Sequence, residues 1–170
     1  MWKKILIGVA VLALVIFAFL AWYKIHYSMD VARSYEVNSP ELKSRVLVAT
    51  QGSEFKDAIV AGIVDHLKQR QVYIKVVDVA ALPQVNADKW NAVVLIHTWQ
   101  NMKPQADAEN FLERVKDFSK VIVLTTSGNG NFKMEGVDAI TTASVMADVP
   151  SRVADISTRL DSILDKNNRK

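Results

Sequence analysis

The sequence predicts an α/β protein: one doubly wound, five-stranded parallel sheet preceded by a transmembrane helix. Three observations predict it. The amino terminus carries an uninterrupted apolar run, short β-branched runs alternate with helical periods from Arg45 onward, and the loops after those runs are rich in Gly, Ser, Thr and Asn. With 170 residues, half of them hydrophobic, and 21 Lys plus Arg against 18 Asp plus Glu, the chain has room for one ordinary soluble domain.

The first element is an anchor over residues 1–23. After Met-Trp-Lys-Lys, residues 5–23 hold no charge, and 19 residues at about 1.5 Å each cross a hydrocarbon layer roughly 30 Å thick. Twelve of them are Leu, Ile, Val or Phe, which together favour insertion by about 4 to 7 kcal/mol. Trp22 and Tyr23 stand where an interfacial aromatic belt would. A cleaved signal peptide would have a shorter apolar core and a small-x-small end, which Phe19, Leu20, Ala21 and Trp22 do not supply. The partner so implied is a lipid bilayer, the cytoplasmic (inner) membrane, crossed once. Lys3 and Lys4 on one side and Lys24, Arg33 and Lys43 on the other nearly balance, and the short basic tail leans the carboxy-terminal domain to the outer side.

Residues 24–44 mix charge and apolar residues without a period and read as a tether, punctuated by Asn38-Ser39-Pro40. Residues 45–166 form the domain and 167–170 a tail. Runs at 46–49, 72–79, 92–96 and 121–124 predict strands buried on both faces, and 137–141 a fifth. Phe55, Ile59, Ile63 and Leu67 predict one helix; Phe111, Leu112, Val115 and Phe118 a second; Val153, Ile156, Leu160 and Ile163 a third. The gap from Leu124 to Val137 barely holds a helix, so one helix of the usual set is missing. Right-handed crossovers then place helices on both faces.

Several function classes fall away. The chain has no cysteine, which excludes disulfides, thiolate zinc sites and cysteine nucleophiles. From Ser44 onward there are 16 basic and 15 acidic residues, so no basic face offers itself to nucleic acid. GxxxxGK, GxSxG and HExxH are absent, and no histidine pair has metal-ligand spacing.

In open α/β sheets ligands bind beyond the carboxyl ends of the strands. Three loops meet there: Gln51-Gly52-Ser53 before a helix carrying Phe55, then His97-Thr98-Trp99-Gln100-Asn101, then Thr125-Thr126-Ser127-Gly128-Asn129-Gly130-Asn131. On these residues the domain resembles the flavodoxin family over roughly residues 45–164. The resemblance implies the strand order 2-1-3-4-5 and a noncovalent FMN. Its phosphate would be held by Gln51, Gly52, Ser53 and Phe55, its ring would stack on Trp99 beside Thr98, and its edge would be wrapped by Ser127, Gly128, Asn129 and Gly130. The first loop departs from the family's S-x-T-G-N-T pattern: Ala49, Gln51 and Glu54 replace hydroxyl residues, and a carboxylate about 4 Å from a phosphate costs about 4 kcal/mol at an effective dielectric near 20. Gly52-Ser53 reads equally as a turn with an N-cap, Trp99 as a ring packed under a loop, and His97 as a hydrogen-bonded loop residue. Asp138-Ala-Ile-Thr-Thr-Ala-Ser144 is similar to the site of phosphoester FMN attachment in flavin-carrying subunits of membrane respiratory complexes, with Thr142 in place of Gly; its plain alternative is the fifth strand. Two functions therefore stand side by side: an electron carrier or reductase module with FMN serving a membrane redox partner protein, and a flavin-free binding or assembly module.

Overall fold

The computed structural model describes residues 2–27, 29–100 and 102–168, without the side chains of 23–27 and 168. The interfacial role read for Tyr23, the tether position of His26, Asn101 of the third loop and the end of the tail fall outside it. The chain divides into two compact units, residues 1–30 and 31–170. In the first, helix α1 (Trp2–Tyr27) is apolar all round, with Leu14 70% and Phe17 74% exposed. Its stretch Trp2–Trp22 is long and apolar enough to cross a membrane.

The second unit is a mixed α/β domain. Its strands are β1 (Tyr35–Val37), β2 (Ser44–Thr50), β3 (Val72–Asp78), β4 (Ala92–Gln100), β5 (Lys103–Pro104), β6 (Val121–Thr126) and β7 (Ala139–Thr142). Its helices are α2 (Glu54–Leu67), α3 (Ala106–Arg114) and α4 (Val149–Asn168). The sheet has seven strands where five were expected, in the order β1-β3-β2-β4-β6-β7 with β5 paired to β4. Strands β3, β2, β4, β6 and β7 run parallel, whereas β1 and β5 are antiparallel additions.

Alternation along the central strands fills two cores. Val46 and Val48 of β2, Val94 and Ile96 of β4, and Ile122 and Leu124 of β6 face one side. There Ile59 and Ile63 of α2 and Ile156 and Leu160 of α4 cover them. Leu47, Ala49, Val93, Leu95 and Val123 face the other side, covered by Phe111 and Leu112 of α3 and by Leu82. A Cβ on Gly62 would lie 2.6 Å from Val153, so the missing side chain lets α2 and α4 pack closely.

Three segments differ from expectation for physical reasons. Residues 31–44, read as tether, belong to this unit. The Ala32 amide donates to Asp78 at 2.7 Å, β1 pairs with β3, and Asn38, at φ 66°, donates from Nδ2 to the Val72 carbonyl at 2.8 Å. Helix α3 stops at Arg114, short of the stripe that ran to Phe118. The Asp117 carboxylate accepts the Ser119 amide at 2.9 Å and turns the chain, leaving Phe118 44% exposed. Strand β4 continues to Gln100, because β6 pairs with it as far as Thr98 and β5 with Trp99 and Gln100. The crossover from β3 to β4, a loop in the sequence pattern, consists of two 3-10 turns, Val79–Gln84 and Ala87–Lys89, with no α-helix. Among the described residues between β6 and β7 there is likewise no helix.

Candidate functional site

The carboxyl ends of β2, β4 and β6 bring the three sequence-chosen segments together. Gln51 follows β2 and is buried, and its Oε1 accepts the Thr98 amide at 2.7 Å, tying the first segment to the end of β4. Gly52 is buried beside it. Ser53 is the N-cap of α2, with its Oγ accepting the Lys56 amide at 3.3 Å, so the capping reading describes what its hydroxyl does. Phe55 points into the core at 4% exposure, and Glu54 lies exposed in the first helical turn with Asp57. Two carboxylates favour that helix terminus electrostatically and oppose a bound phosphate.

Thr98 and Trp99 are strand residues rather than loop residues. Thr98 Oγ1 and Thr126 Oγ1 share a hydrogen bond at 3.0 Å across the β4–β6 pair. Trp99 stacks on Phe132 with centroids 5.7 Å apart and planes 5° from parallel, and its Nε1 is buried without a hydrogen-bond partner. The fourth segment satisfies itself. The Ser127 amide donates to the Thr142 carbonyl at 3.1 Å, Ser127 Oγ donates to Asn129 Oδ1 at 3.2 Å, and the same Oδ1 accepts the Asn131 amide at 3.1 Å. Gly128 is exposed. Gly130 has φ +72°, and a Cβ there would lie 2.9 Å from the Ala143 amide nitrogen, so the turn needs glycine. Thr142, inside the string similar to a flavin-attachment site, ends β7, which makes that segment a strand.

Beneath these residues lie two buried bases. His97 is fully buried, and Thr125 Oγ1 lies 3.1 Å from its Nε2 while Nδ1 has no partner. Burial pulls its pKa down to about 4; the Thr98 backbone opposes this, and the nearby Lys56 charge adds to it. Lys56 is 1% exposed, and burial lowers its pKa to about 8 against the opposing pull of Asp57. His97 is hydrogen-bonded, but as a residue of β4 and to a threonine hydroxyl of β6 rather than in a loop and to a loop carbonyl. Lys56 and Phe132 were not singled out from sequence. A signal for the first exists: Lys56 precedes Ile59, Val60 and Ile63 at helical spacings of three, four and seven, which places it on the buried face. Phe132 carries none, since its pairing with Trp99 is made by the path of the loop. No group of three or more His, Asp or Glu able to hold a metal occurs among the described residues.

The arrangement does not fit the flavin that the resemblance implied. Phe132 is stacked on Trp99, the helix N-terminus carries acid, and the side chains of Ser127 and Asn129 are engaged with each other.

No family model matches the chain, and no curated protein does. Among solved structures, an oxidoreductase from Corynebacterium diphtheriae is similar at TM-score 0.45 and 13% identity, covering 72% of this chain and 98% of that one. General stress protein 14 from Treponema denticola, solved in complex with FMN, is similar at TM-score 0.39 and 10% identity, covering 71% and 99%. Likenesses at this level leave fold and cofactor to be argued from the chain's own residues.

Proposed function

We propose that the chain is a membrane-tethered, flavodoxin-like domain that works as a binding or assembly module without resident flavin. Support for the fold comes from the parallel strands: numbered among themselves, β3-β2-β4-β6-β7 read 2-1-3-4-5, with helices on both faces. The apolar course of α1, without charge from Ile5 to Tyr23, supports a single span of the cytoplasmic membrane, and Lys3 and Lys4 before it support an outer position for the domain. One observation carries the functional reading: Phe132 already stacks on Trp99, the ring that the resemblance gives to the isoalloxazine. Polar groups left around that clasp, among them exposed Asn131 and Gly128, are available to another protein or a small anion.

A second reading, an FMN electron carrier serving a membrane redox partner, is favoured by the buried, unpartnered Trp99 Nε1 beside that clasp. In it Phe132 must leave Trp99 before a flavin can enter. FMN titration of the full-length chain in detergent, followed by flavin fluorescence, separates the two. No quenching at roughly tens of micromolar protein, with either the natural chain or Phe132→Ala, is the expected result. Saturable quenching by the natural chain that Trp99→Ala abolishes would establish the carrier instead.

A further inference from the structure

At the amino-terminal ends of the strands, away from the crevice, Arg45, Tyr73 and Trp90 form a second cluster. Tyr73 and Trp90 stack with centroids 6.1 Å apart and planes 15° from parallel. The Arg45 guanidinium carbon lies 5.2 Å from the Tyr73 centroid and 5.1 Å from that of Trp90, so one cation is shared by two ring faces. Because the β3–β4 crossover is two 3-10 turns instead of a helix, a groove of about 320 Å³ opens over these residues, floored by Leu47 and Val77. That volume is at the small end of the range for organic ligands.

The charges lining the groove are one-sided. Arg45, Lys75 and Lys89 line it and no carboxylate does. Lys75 is engaged by Glu36 at 2.9 Å, whereas Arg45 has no ion pair among the described residues and its Nε is buried with no hydrogen-bond partner. A half-buried guanidinium is ordinarily matched by an acceptor, since desolvated donors are costly to leave unpaired. Here the rings hold the cation in place; the charge of Glu36, spent on Lys75, reaches it, but no carboxylate pairs with it among the described residues.

We propose that this groove is a binding site for a flat organic anion, an aromatic carboxylate of one or two rings, with its ring against the apolar wall and its carboxylate at Arg45 and Lys89. Apolar lining supplies the body of such a ligand, and the unmatched guanidinium supplies the planar two-donor face that carboxylates take. Neither a neutral aromatic nor a bare anion uses both.

The test uses the full-length chain in detergent micelles with 1-naphthoate as the probe and 1-naphthalenemethanol as its uncharged counterpart. Binding is read from the indole resonance of Trp90, assigned through Trp90→Phe. Naphthoate should shift that resonance saturably, and the alcohol should bind at least about tenfold more weakly. Arg45→Gln should abolish naphthoate binding. Lys89→Glu, at an exposed position where the fold has nothing to lose, should weaken it at least about fivefold. A Trp90 resonance unmoved by naphthoate, equal binding of the alcohol, unchanged affinity in Lys89→Glu, or a response at Trp99 instead would each overturn the proposal.

Discussion

Two stacked ring pairs stand at opposite ends of the same sheet, and they differ in what surrounds them. Trp99 and Phe132 at the carboxyl ends are closer and more nearly parallel, 5.7 Å and 5° against 6.1 Å and 15° for Tyr73 and Trp90. The carboxyl-end pair joins a strand to a loop and leaves an indole N–H unpartnered. The amino-end pair carries a guanidinium over both faces. Ring geometry alone would rank the first as the better ligand platform. Their surroundings reverse that order: the first pair closes a crevice, while the second lines an open groove.

Acid should break the comparison most strongly. An unfolded histidine takes its proton near pH 6.5 and His97 near 4, so between those values the unfolded state binds more protons and stability falls as pH falls. The loss should approach about 3 kcal/mol by pH 4. Urea unfolding from pH 7 to 4 in the natural chain and in His97→Gln measures it, and equal pH slopes in the two would remove His97 as the cause. The Trp99 environment, above His97, should respond before that of Trp90.

Gly130→Ala should cost on the order of 1 to 3 kcal/mol, because it combines a left-handed backbone with a close approach to Ala143. The loop it distorts carries Phe132, so loosening should appear in the Trp99 indole signal and leave Trp90 unchanged. A thermal midpoint equal to that of the natural chain would show that the turn relaxes freely.

Double-mutant cycles should give the smallest effects, about 0.5 to 1.5 kcal/mol of coupling within each ring pair. Arg45→Gln should alter the Tyr73–Trp90 coupling and not that of Trp99–Phe132. Identical responses would mean that the cation is incidental to its rings.

What the sequence revealed tracks how local each determinant is. Val46, Val94 and Val123 sit in β-branched runs that report burial on both faces, and the stripe from Phe55 to Leu67 reports α2, since residues close in sequence carry both signals. Tyr35–Val37 carries none, because three residues of mixed polarity become a strand only through pairing with β3. The same holds for the end of β4, where Thr98 and Trp99 are drawn into the sheet by β6 and β5. At the crevice the three segments were legible as neighbours from strand order. Their use of each other was not: the Gln51–Thr98 bond spans 47 residues, and the Trp99–Phe132 stack depends on a loop path without periodicity.

Strand β1 also bears on how copies of this chain behave toward one another. It lies along the outer edge of β3, three residues held by the Glu36–Lys75 ion pair and by the bonds of Ala32 and Asn38. At the opposite edge β7 is only four residues long. Short edges resist strand-to-strand adhesion, and β1 adds the charge of Glu36. A chain cut at Ser44 would keep every helix of the domain and every parallel strand, yet bare the outer edge of β3 from Ile74 to Val76, where β1 pairs, and free Val72 and Asp78 of their bonds to Asn38 and Ala32. Such a strip is a template for intermolecular pairing. Residues 31–43 thus act as insulation, a segment whose work is to keep the sheet from growing.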